Sequence, residues 1–99
     1  MLKEYAICAE IARAFGLSHE AASIALARMP YRQTGHGKVY ETKEAARACA
    51  EHCERRAREA AEMYARSNGE VMRRRMEMWT ARAEKIRSYS RGEETENDV

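Results

Sequence analysis

Cys49, His52 and Cys53 would put two thiols and an imidazole on one and a half turns of a helix, and these are ligand types that zinc takes. A structural zinc site needs four such ligands, usually from two elements. No second cysteine or histidine pair stands elsewhere, and Cys8 is the one thiol left to join them. Cys49 and Cys53 are therefore read as small buried groups on a helix-packing stripe. Three cysteines, an odd number, do not make the paired framework of a secreted disulfide-rich domain, so reduced thiols are expected. His19, His36 and His52 each have a Ser, Glu or Cys close in sequence. The chain nevertheless contains no Gly-x-Ser-x-Gly, no phosphate-cradling glycine-rich loop ending in Lys-Ser/Thr and no His-Glu-x-x-His. These residues predict no enzyme, no metal and no cofactor.

The elements that position the polar side chains are marked by turn residues and by helical spacing. Tyr5, Ile7, Cys8, Ile11, Ala12 and Phe15 predict a helical unit over residues 3–14 that stops at Gly16. Ser18 can accept from the first N–H groups of a second helix, which runs to about Arg28 and ends before Pro30. Tyr31-Arg32-Gln33 and Lys38-Val39-Tyr40 flank Thr34-Gly35-His36-Gly37, the pattern of a β-hairpin. Thr42 is expected to cap a long helix reaching Ser67-Asn68-Gly69. There Gly69 would close one helix and Ser67, with Glu70 three residues on, would open the next as a capping box.

Residues 9–26 have the spacing of a DNA-binding helix-turn-helix. Ala12 allows two helices to cross closely, Gly16 permits the tight turn, Leu17 plugs the core and Ser18 starts the second helix. With the hairpin and a further helix behind it, the segment 3–50 resembles the winged helix-turn-helix of excisionases and MerR-type regulators. Its Gly-x-Gly-Lys-x-Tyr hairpin also looks like that of the N-terminal domain of phage terminase small subunits. The resemblance implies that the helix starting at Ser18 enters the major groove and that the hairpin is the wing. Expected DNA contacts are Ser18, His19 and Ser23 on the outer helix face, Arg28 and Arg32 beside it, and Gln33, Thr34, His36 and Lys38 in the wing. His19, Glu20, Ala21 and Ala22 depart from the family pattern, which usually has a larger aliphatic at the position of Ala22 and often Arg or Thr at the other three. A carboxylate at position 20 repels phosphates, although it can accept from a cytosine amino group.

The second half is read from packing. Eighteen alanines against eleven Ile, Leu, Val and Phe residues make a thin core, and a thin core in a short chain gains stability from other copies. Met72, Met76, Trp79, Ala83 and Ile86 step by 4, 3, 4 and 3, a heptad seam taken here as the oligomer interface. Ala46, Cys49, Cys53, Ala57, Ala60 and Tyr64 form a stripe of mostly small residues on the preceding helix, against which that seam can pack. Charge is unevenly spread under a net +2. Residues 67–92 carry seven basic and three acidic groups, and residues 93–99 carry four acidic groups and no basic one. Arg73, Arg74 and Arg75, with Arg82, Lys85, Arg87 and Arg91, offer a second phosphate-binding surface, a ring of positive charge in an oligomer or simply a solvated face.

The resulting expectation is a mainly α protein: a winged helix-turn-helix with a small β-hairpin wing over residues 1–42, a helical oligomerisation hairpin over 43–92 and a disordered acidic tail over 93–99. With no membrane-spanning run or leader pattern, it reads as cytoplasmic. The partners implied are double-stranded DNA, further copies of the chain and, through the tail, another protein. By resemblance to terminase small subunits, that protein would be a large terminase subunit and the task DNA packaging. A dimeric transcription regulator or excisionase-like protein fits the same residues. So does a winged-helix adaptor that binds protein without DNA affinity.

Overall fold

The structure, a computed structural model, describes residues 3–90. Helical spacing fails first at its N-terminal end. Tyr5–Ala6 form a strand, β1, and helix α1 begins only at Cys8 and runs to Phe15. The cause is nonlocal: Tyr5 pairs with Glu41 and Ala6 with Tyr40, while the Thr42 N–H donates to Glu4 O at 2.8 Å. Ile7 keeps an extended backbone, and Glu10 Oε1 accepts from its N–H at 3.1 Å, which ties down the start of α1.

Gly16 ends α1 with φ 67°, a left-handed conformation that costs a residue with a Cβ far more than glycine. The Leu17 N–H then donates back to Ala12 O at 2.9 Å, and Leu17 is buried. Ser18 Oγ accepts from the Ala21 N–H at 3.0 Å, opening α2 over His19–Leu26. Strands β2 (Arg32–Thr34) and β3 (Gly37–Glu41) follow, joined at Gly35-His36. Thr34 Oγ1 braces this turn, donating to Gly37 O at 2.9 Å and accepting from the His36 N–H at 3.1 Å. The sheet is antiparallel in the order β1-β3-β2.

Helix α3 spans Thr42–Ser67 and α4 spans Glu70–Ser90, and they pack on each other along their length. Two expected caps are displaced by one residue. Glu41, not Thr42, accepts from the Lys43 N–H, and Thr42 is buried inside. Asn68, not Gly69, takes the left-handed conformation that ends α3, with φ 56°. Ser67 caps nothing: its hydroxyl donates backward to Met63 O at 2.8 Å.

Ile11, Leu17 and Leu26 meet Ala45, Ala46, Cys49, Ala50 and Cys53 of α3 and Ala83 and Ile86 of α4 in one core. The alanine and cysteine face of α3 lets α4 come close, and α4 in return supplies the larger side chains. The described residues are thus mainly helical, with four helices and a small antiparallel sheet. Among the described residues no helix is long and apolar enough to cross a membrane. The acidic segment 93–99 lies outside the described residues.

Candidate nucleic-acid interface

Ser18, His19, Ser23, Arg28, Arg32, Gln33, Thr34, His36 and Lys38 are all exposed, and the fold sorts them into separate patches. Strand side chains alternate between faces, so the pairing of Arg32 with Val39 and of Gln33 with Lys38 decides which belong together. Arg32 and Thr34 share the outer sheet face with Tyr5, and with Lys3, Ile7, Glu10, His36 and Val39 they line an open cleft of about 540 Å³. The Arg32 guanidinium stands over the Tyr5 ring at 4.9 Å. Gln33 and Lys38 lie on the opposite face, where Lys38 Nζ sits 4.5 Å from the Tyr31 ring centre.

On α2, Ala22 and Leu26 turn inward and leave His19, Glu20, Ser23, Ile24 and Ala27 outward. His19 and Ser23 form one edge of this surface. Ser23 Oγ lies 3.5 Å from His19 Nδ1 and 3.6 Å from Cys8 Sγ at the start of α1. Glu20, Ile24 and Arg28 form the other edge, which looks onto α3 and α4. Ser18, Glu20 and Ile24 share a depression with His52, Arg56 and Trp79, and Ile24 and Arg28 share a second one with Glu51 and Arg55. Ile24 is 55% exposed at the junction of the two.

The electrostatics of α3 and α4 differ from what sequence spacing implies. Arg73 is held by Glu70 and Glu77, and Arg74 lies 3.7 Å from Glu70, so most of the Arg73–Arg75 triplet is neutralised within α4. Arg55 has Glu51 and Glu59 four residues to either side, a spacing that suggests pairing. Arg55 instead reaches His52 Nδ1 at 3.5 Å, and Glu59 takes Arg56 at 3.2 Å. Among the described residues Arg28, Arg55 and Arg82 have no carboxylate within 4.0 Å. Arg56 and Arg82 also stack over Trp79, at 5.6 and 5.3 Å.

His52 is 5% exposed and edge-on to Trp79. Burial, reinforced by the Arg55 and Arg56 charges, holds its imidazole below the ordinary pKa, so it stays neutral and can accept from Arg55. Cys49 and Cys53 are fully buried beside it, and burial pushes the Cys49 thiol up to about 12. Among the described residues no group of three His, Cys, Asp or Glu side chains is arranged to hold a metal.

Of the heptad seam, Ala83 and Ile86 are 3% and 1% exposed and packed into the chain's own core, with no surface left for a second copy. Met72, Met76 and Trp79 are half-buried. Among the described residues of α3 and α4, the large apolar groups that do face outward are Met63, Val71 and Met78. Sequence reasoning missed Lys3 and Tyr5 beside the hairpin, and Arg55 and Arg56 beside α2. Each reaches its patch through a nonlocal contact that has no signal in local spacing. Comparison with known proteins returns no match to a family model, a curated protein or a solved structure.

Proposed function

We propose that the chain is an oligomeric double-stranded DNA-binding protein of the winged helix-turn-helix kind, in which α2 enters the major groove and the β2–β3 hairpin, as the wing, contacts the adjacent backbone. The observation that carries this reading is the pair of short helices joined at a left-handed Gly16 and a capping Ser18, with the outer face of α2 open and a hairpin bearing Arg32, Gln33, Thr34, His36 and Lys38 after it. Support comes also from the sheet: β1 clamps β3, which anchors the hairpin's base to the helix pair. Arg32 and Lys38 supply charge for phosphates, and His19 and Ser23 supply donors and acceptors to base edges.

The task that best fits is recognition of DNA for packaging, in the manner of a terminase small subunit. Self-association would use Met63, Val71 and Met78 together with the half-buried Met72 and Met76, and a large terminase subunit would be the protein partner. A dimeric regulator is the nearer alternative. One observation favours an adaptor without DNA affinity: Ile24 and Glu20 stand side by side on the face of α2 that would meet the groove. Light-scattering mass, measured with and without a random-sequence duplex, separates the three. The packaging reading expects a large closed oligomer that takes up DNA, a regulator a dimer that does so, and an adaptor no uptake at low salt.

A further inference from the structure

A helix with its side chains is about 10–12 Å across, and the major groove is about 12 Å wide, so a helix seated there has backbone phosphates along both flanks. The two edges of α2 are not equivalent. The His19 and Ser23 edge looks toward Cys8 and the start of α1, on the side where Arg32 and Lys3 line the sheet cleft. The Glu20, Ile24 and Arg28 edge looks onto α3 and α4, where Arg55, Arg56 and the Arg82-capped Trp79 rise beside it. Of the hairpin cations, Arg32 lines the cleft on that first side and Lys38 lies on the opposite sheet face over Tyr31; neither lines the depressions beside Glu20 and Ile24.

We propose that Arg28, Arg55 and Arg82 form a second row of phosphate contacts along the α3 flank of α2, so that the duplex backbone is gripped on both sides of the inserted helix. The occupant is a phosphodiester backbone, and the inference rests on the DNA-binding reading above. Charge and continuity carry it. Among the described residues no carboxylate lies within 4.0 Å of these three guanidiniums, whereas Arg73 and Arg74 are tied to Glu70 and Glu77. Arg55 is oriented from behind by His52, and Arg82 by the Trp79 ring, so both are held in place before a phosphate arrives. Glu20 and Glu51 also line the two depressions, and the row still carries more positive than negative groups, with Arg56 paired to Glu59 at its edge.

The test is a fluorescence-anisotropy titration of a labelled random-sequence duplex, repeated over a range of salt concentrations. It compares the wild type with Arg28→Ala/Arg55→Ala, Arg55→Ala/Arg82→Ala and the hairpin pair Arg32→Ala/Lys38→Ala, each checked for native helicity. Each phosphate contact contributes about 0.9 to the slope of log affinity against log salt, so each flank pair should flatten the slope by about 1.8 and weaken binding at every sequence. Flank variants that keep the wild-type slope while the hairpin pair loses affinity would overturn the second row and leave the DNA-binding reading standing. A wild-type protein that takes up no duplex at low salt would overturn both.

Discussion

Arg87 of α4 reaches Glu54 of α3 across 33 residues of chain, donating from Nε at 3.1 Å and Nη2 at 2.9 Å to the two carboxylate oxygens. The bidentate geometry and partial burial make it stronger than an exposed pair, and the Arg87 guanidinium holds the Glu54 carboxyl below its usual range. Both side chains still see water, which screens the interaction. Arg87→Ala is expected to lower stability by about 1 kcal/mol in urea unfolding, whereas Arg74→Ala, whose contact to Glu70 is longer and exposed, should change it by much less.

Ile86 is 1% exposed where α4 meets the core of the N-terminal half. Ile86→Ala should cost about 2–5 kcal/mol by lost transfer energy and the cavity left behind. The same truncation at the outward-facing Met78 should cost little in an isolated chain. Urea midpoints measured at low protein concentration compare the two.

His52 makes stability depend on pH in a definite direction. Its folded pKa lies below the ordinary 6.5, so in the interval beneath about 6.5 the unfolded chain binds a proton that the folded one resists. Stability is complete above that value and falls as the pH drops toward the folded pKa. Glu54, also depressed, loses its share only below the ordinary carboxylate value of 4.5, a separate window. Urea midpoints should therefore decline between pH 7.5 and 5.5. In His52→Gln that decline should be smaller, and an unchanged pH dependence would show that His52 is not its source.

Thiol reactivity reports the packing of α3 on α4. Cys49 and Cys53 are fully buried, and burial raises both thiols, Cys49 to about 12, while Cys8 is partly exposed beside Ser23. A thiol-disulfide reagent should titrate one cysteine in the native protein and three after denaturation. Three fast thiols at neutral pH would mean that the α3–α4 contact opens readily.

Elements with local causes could be read from the sequence. Gly16, Leu17 and Ser18 announce the turn between α1 and α2 through backbone conformation and capping alone, and Gly35 to Gly37 announce the β2–β3 turn in the same way. The long α3 needs only its helix formers. What sequence spacing misses is pairing at a distance. Tyr5–Ala6 have an apolar rhythm that suits a helix, and only β3, more than thirty residues on, makes them a strand. The seam Met72 to Ile86 was legible as a stripe. Spacing could not say that its C-terminal part, Ala83 and Ile86, is covered by the chain itself. Arg55 illustrates the same limit in charge: helical spacing offers it two glutamates, yet it turns to His52 and the flank of α2.

Binding of duplex DNA by α2 and the β2–β3 hairpin would show in the wild-type affinity for a random-sequence duplex at about 50 and about 200 mM salt. Saturable binding is expected at the lower salt and should weaken steeply at the higher, with Arg32→Ala/Lys38→Ala weaker at both. No saturable binding at the lower salt, from a protein with native helicity, would contradict it.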